Sequence, residues 1–122
     1  MDKISEQVID QYIVTLGNIE VSHERLAGHK IYYIANRSDD KDQTIFAIIK
    51  QNSSPLLIDL LCDSRLAETL RQKYESVVPS KLMDERCWNR LICGGQLSQQ
   101  EVFDLINLSY QLTQQKLTQT QV

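Results

Sequence analysis

The chain has 122 residues, 42% hydrophobic and 24% charged, with a formal net charge of −3. This composition excludes a disordered tail, and no run approaches the ~18 apolar residues of a membrane span. The acidic balance counts against indiscriminate nucleic-acid binding, because affinity for phosphates comes largely from Lys and Arg.

Residues 3–16 read as a helix, with Ile4, Val8, Ile9, Tyr12, Ile13 and Leu16 at helical spacing and Gly17-Asn18 as the stop. Alternation over Ile19–Leu26 predicts a half-buried strand. Two β-rich runs follow, Lys30–Ala35 and Thr44–Lys50, joined by the polar loop NRSDDKDQ as a hairpin with an acidic tip. Leu56–Cys62 is a further strand, expected to project Asp59 outward. Asp63 is a good N-cap for a helix to about Tyr74, whose narrow apolar side is Leu66, Ala67, Leu70 and Tyr74. Val77–Met83 and Cys87–Cys93 read as strands. Ser98 and Glu101 form a capping box that opens a last helix to about Leu117. Its arc of Val102, Phe103, Leu105, Ile106, Leu108, Tyr110 and Leu112 is wide enough to be buried on more than one side, or to be covered by a partner.

This order segregates strands from helices and predicts an α+β fold: two layers, an antiparallel sheet with helices packed on it, α-β(3-4)-α-β(2)-α. One domain is expected over residues 1–117, followed by a frayed tail over 118–122. At this size about two-thirds of the unfolded surface can be buried, so no staple is required. The start MDKISEQVID has neither a basic n-region nor an apolar h-region, so the expected compartment is the cytoplasm.

Candidate chemistry is sparse. Cys62, Cys87 and Cys93 lack C-x-x-C spacing and read as small buried hydrophobes. His23 and His29 are too scattered for a metal site or for catalysis. Asp2, Glu6 and Asp10 recur every helical turn, which is either an open carboxylate ridge for a hard cation or a solvated helix edge; the second reading is preferred. No phosphate-binding loop, dinucleotide fingerprint or HExxH motif is present. The expectation is therefore a protein without catalytic residues, metal or cofactor. The stretch from Arg65 to Arg90 is the mildly basic one, with Arg65, Arg71, Lys73, Lys81, Arg86 and Arg90 against Glu68, Glu75, Asp84 and Glu85. Within it Trp88 could stack on a base, Asn89 could read a base edge, and Lys81, Arg86 and Arg90 could hold phosphate. The alternative is that Trp88 is a core aromatic and Asn89 satisfies backbone groups.

The segment CDSRLAETLRQKYESVVPSKLMDERCWNRL resembles the central signature of the MmcQ/YjbR family at Cys62, Asp63, Leu66, Ala67, Leu70, Arg71, Tyr74, Val78, Pro79, Met83, Arg86, Trp88 and Asn89. LINLSYQLTQQKL is similar to its last helix at Leu105, Ile106, Ser109, Tyr110, Leu112, Lys116 and Leu117. Relatives often carry a basic cluster just before Trp-Asn, where this chain has Asp84, Glu85, Arg86 and Cys87. The resemblance implies the CyaY-like, double-wing fold shared with secretion chaperones, and a DNA-binding protein. It thus names a non-enzymatic DNA-binding module using Lys81, Arg86, Trp88, Asn89 and Arg90. The alternative is a protein-binding adaptor or chaperone-like module using the last helix through Phe103 and Tyr110.

Overall fold

The computed structural model describes residues 4–35 and 44–120, with side chains to 117. Its elements are α1 (Glu6–Thr15), β1 (Ile19–Ser22), β2 (His29–Ile34), β3 (Ile45–Lys50), β4 (Leu57–Leu61), α2 (Ser64–Lys73), β5 (Val77–Pro79), β6 (Trp88–Ile92) and α3 (Gln99–Thr120). The strands form one six-stranded sheet in the order β1-β2-β3-β4-β6-β5, every neighbouring pair antiparallel. The expected α+β architecture is therefore the observed one. The expected acidic hairpin tip lies outside the described residues, as does Asp2.

Local signals explain the helix boundaries. Ser5 accepts the amide of Val8 at 3.2 Å and starts α1, while Gly17 and Asn18, both at positive φ, stop it. Asp63 caps α2 by accepting from the amides of Arg65 and Leu66. At α3 the capping box closes in both directions, Glu101 N–H to Ser98 Oγ at 3.1 Å and Ser98 N–H to Glu101 Oε1 at 2.9 Å. The hydrogen bond from the Tyr74 hydroxyl first, and that from the Ser98 amide second, hold the Glu101 carboxyl below the usual carboxylate range. The helix runs on to Thr120, past its expected end near Leu117.

The strands end sooner than alternation suggests. β1 stops at Ser22, because the chain turns over His23–Gly28 and brings Leu26 against the sheet. β5 stops at Pro79, because the Ser80 hydroxyl accepts from the amides of Leu82 and Met83 and turns the chain away.

The two faces of the sheet carry separate apolar clusters. On the inner face Tyr32, Phe46, Ile49, Ile58, Leu60 and Leu91 pack beneath Ile9 and Ile13 of α1 and Val102, Ile106 and Tyr110 of α3. On the outer face Ile31, Tyr33, Ile45, Ile48, Leu61 and Trp88 are covered by Leu26, Leu82 and Met83 from irregular segments, and Leu112 of α3 also reaches this cluster. Asp59 lies in this outer layer at 2% exposure, contrary to the outward projection expected of it. Its carboxylate accepts from Ser80 Oγ at 2.5 Å and from Arg90 Nε at 2.9 Å, so the charge is matched where water is excluded.

Candidate functional site

The residues singled out for nucleic acid are brought near one another, but mainly in service of the fold. Trp88 is 5% exposed and packs within the outer-face cluster. Its pleat partner Asn89, on the opposite face and 2% exposed, donates to the carbonyl of Ala67 at 3.1 Å and accepts from Arg71 Nε at 2.6 Å. Arg71 continues to the carbonyls of Glu85 and Trp88, fastening α2 to the segment before β6. Arg90 is held by Asp59. Arg86 makes a bidentate contact with Asp84, whose carboxyl this pairing lowers to about 2. Lys81 is exposed, as are Arg65 and Lys73. The expected stacking and base-reading surface is thus corrected: strand alternation placed Trp88 and Arg90 on one face, but a loop covers that face.

Of the partner-binding pair, Tyr110 is placed inward and Phe103 is half-buried. Tyr110 is 6% exposed, donates to the Gly17 carbonyl at 2.7 Å and meets Phe46 edge-on at 5.3 Å between ring centroids. Phe103 stacks on Tyr12 at 4.1 Å, filling the seam between α1 and α3. Tyr110 belongs to the core and is not a docking surface, while Phe103 remains half-buried in that seam.

Other candidates resolve simply. Glu6 and Asp10 flank Lys30 at 3.6 and 3.7 Å, and Asp10 accepts from the Tyr32 hydroxyl at 2.7 Å. Among the described residues no group of three His, Cys, Asp or Glu side chains is placed to hold a metal ion. The three cysteines are free, and burial first of all pushes Cys62 up to about 11 and Cys93 up to about 12. A thiol so protonated is a poor nucleophile.

A concave site does exist, in a place not singled out in the sequence. Between α2 and α3, above β4 and β6, lies a crevice of about 160 Å³. Leu66 and Leu70 of α2 form one wall, Leu105, Leu108 and Leu112 of α3 the other, and Leu60, Leu91 and Cys62 the floor, with Asp63, Gln111, Gln115 and Asn89 as the polar lining. The spacing follows from helix geometry: Leu108, Gln111, Leu112 and Gln115 lie at i, i+3, i+4 and i+7 and share one stripe of α3. The neighbouring stripe of Val102, Ile106, Ser109 and Thr113 is buried toward the sheet. Leu108 stands on the lip at 47% exposure. A larger, more open hollow of about 460 Å³ lies where the start of α1 meets Asn52–Ser54.

No family model matches the chain. It is similar to the uncharacterised protein YjbR of Escherichia coli, in strains K12 and O157:H7, with 29% identity over 70 residues. That match takes in 57% of this chain and 59% of the relative, so less than two-thirds of the relative's length is spanned. A crystal structure of a Deinococcus radiodurans protein with a DUF419 domain superimposes with a TM-score of 0.81 at 17% identity, over 90% of this chain and 78% of that one. A Pseudomonas syringae protein gives a TM-score of 0.71 in its crystal structure, at 22% identity over 90% of this chain and 99% of that one. No helix among the described residues is long and apolar enough to cross a membrane. In sequence the chain is YjbR-like, and its α+β fold is that of the DUF419 structure.

Proposed function

We propose that the protein is a non-enzymatic binding module whose working surface is the crevice between α2 and α3, where it receives one large apolar side chain of a protein partner. The observation that carries this reading is Leu108, 47% exposed on the lip of a leucine-walled hollow. The other large hydrophobics exposed among the described residues, Val14 and Val21, do not line it. Size decides the class of occupant. A volume of about 160 Å³ is close to that of an apolar cavity that holds a benzene ring, ~150 Å³. It is well below the roughly 300 Å³ at which sites for cofactors and drug-sized ligands begin. One ring or one branched chain fits, which is how an interface anchor is seated.

The lining supports binding better than chemistry. Asp63, its ionisable carboxylate, is engaged in capping α2, and the Cys62 thiol is protonated at neutral pH. Nucleic-acid binding has less support, since Trp88 is sealed and Arg71, Arg86 and Arg90 are engaged within the chain.

Selection of displayed peptides on the wild-type protein, counter-selected on Leu66→Trp with its crevice filled, tests the proposal. The expected result is enrichment of peptides sharing one large apolar residue, which shift the amide resonances of Leu66, Leu105 and Leu112. If no peptide distinguishes the two proteins, the crevice is not a binding site.

A further inference from the structure

The stripe of α3 that fronts the crevice has an unusual charge pattern. From Leu105 to Gln115 there is no Asp, Glu, Lys, Arg or His, eleven residues in a chain that is 24% charged overall. Charges resume at the two ends with opposite signs, Asp104 before the stripe and Lys116 after it, both exposed. The stripe also carries a projecting side chain, Leu108, beside the hollow it helps to wall. Projection and hollow on one patch, with amides between them, are what a self-complementary surface requires.

We infer that the partner is a second copy of this chain, bound across a two-fold axis with α3 antiparallel to its counterpart and Leu108 of each copy entering the other's crevice. This rests on the crevice being a binding site. The register follows from the sequence. An antiparallel pair centred midway between Leu108 and Leu112 sets Leu108 opposite the other copy's Leu112. The same register sets Asp104 opposite Lys116 at both ends. These positions recur every four residues, along the ridge by which two helices interdigitate at their commonest crossing angle. A two-fold contact places one patch against itself, and a charged patch would repel its own copy. The uncharged stripe removes that penalty from a molecule whose net charge is −3. The contact is one helix stripe and one crevice, at the small end of specific interfaces, below about 1,200 Å² in total. The dimer is weak and reversible.

Sedimentation velocity from micromolar to millimolar protein tests this. The wild type should move from monomer to dimer as concentration rises. Leu108→Gln, an exposed substitution, should weaken association at least about tenfold while leaving the circular dichroism spectrum unchanged. Asp104→Lys should weaken it as well, and Asp104→Lys combined with Lys116→Asp should restore it. A wild type that stays monomeric while selected peptides still occupy the crevice overturns the self-association and leaves the binding site standing. Absence of both dimer and peptide binding removes the two together. A dimer indifferent to Leu108→Gln, or a charge swap that fails to rescue, overturns the proposed interface.

Discussion

The hydroxyl of Ser109 accepts the amide hydrogen of Leu61 at 3.1 Å and returns its own hydrogen to the carbonyl of Phe46 at 2.6 Å. The β3–β4 register, in which Ala47 faces Leu60, would next pair Phe46 with Leu61. A side chain from α3 occupies that rung of the ladder and lets the helix pass where the two strands separate. Both backbone groups are buried, and an unsatisfied buried group costs about 1–3 kcal/mol. Ser109→Ala should therefore lower stability by about that amount in urea denaturation. The Leu61 amide should become one of the most altered in hydrogen exchange. Unchanged protection of Leu61 would show that the strands close on their own.

Arg90 and Asp59 form the charged pair of the outer layer, with side chains 18% and 2% exposed. Removing one partner leaves a charge without water. Arg90→Gln should cost about 3–5 kcal/mol, and replacing both residues by apolar ones of similar volume should recover much of that loss. Chemical denaturation of the two variants checks both statements; a double variant no more stable than the single one would refute the pairing argument.

Burial raises the Cys93 thiol to about 12 and the Cys62 thiol to about 11, from an ordinary value of 9.0. A pKa higher in the folded state means that this state holds its protons longer than the unfolded one. The resulting stability is complete below pH 9 and is lost as pH rises toward 11 and 12. Stability should fall across that alkaline window, and Cys93→Ala should flatten the fall, as a series of denaturation curves would show. At neutral pH the half-buried Cys87 should react with a thiol reagent before the other two.

Position on α3 separates folding from binding. Leu108→Gln should change stability by less than about 0.5 kcal/mol, as exposed substitutions do. Tyr110→Phe removes the bond to Gly17 and should cost about 1 kcal/mol. A thermal melt of each variant decides, and a severe loss in Leu108→Gln would place that side chain in the core.

Duplex DNA should give no saturable rise in fluorescence anisotropy at low salt, where phosphate contacts are strongest. A salt-sensitive rise that disappears in Lys81→Glu would return the basic stretch to consideration.

The sequence made the caps plain, because Asp63, Ser98 and Glu101 act on amides two or three residues away. It also placed the hairpin strands and, in Val102, Ile106 and Tyr110, part of the inward face of α3, but not Ser109 and Thr113, which are polar and fully buried there. Alternation correctly grouped Trp88 with Arg90, and likewise set Asp59 apart from Ile58 and Leu60. Period alone cannot reveal that a group of residues is roofed. The roof here is Leu26, Leu82 and Met83, which the strand pattern assigned to the ends of the first and fifth strands and which instead lie on bends beyond Ser22 and Pro79. The crevice was hidden for a related reason. Its walls, Leu66 and Leu70 against Leu105, Leu108 and Leu112, belong to helices far apart in the chain and read separately as ordinary apolar stripes.

Arg71 joins the crevice to the sole tryptophan of the chain, since it holds Asn89 on the lining side and the carbonyl of Trp88 on the other. An occupant that wedged α2 outward would pull on this guanidinium and, through the Trp88 carbonyl, on the backbone that carries the indole. If the crevice is a binding site, tryptophan emission should shift when a selected peptide is added, and an unchanged spectrum would break this link.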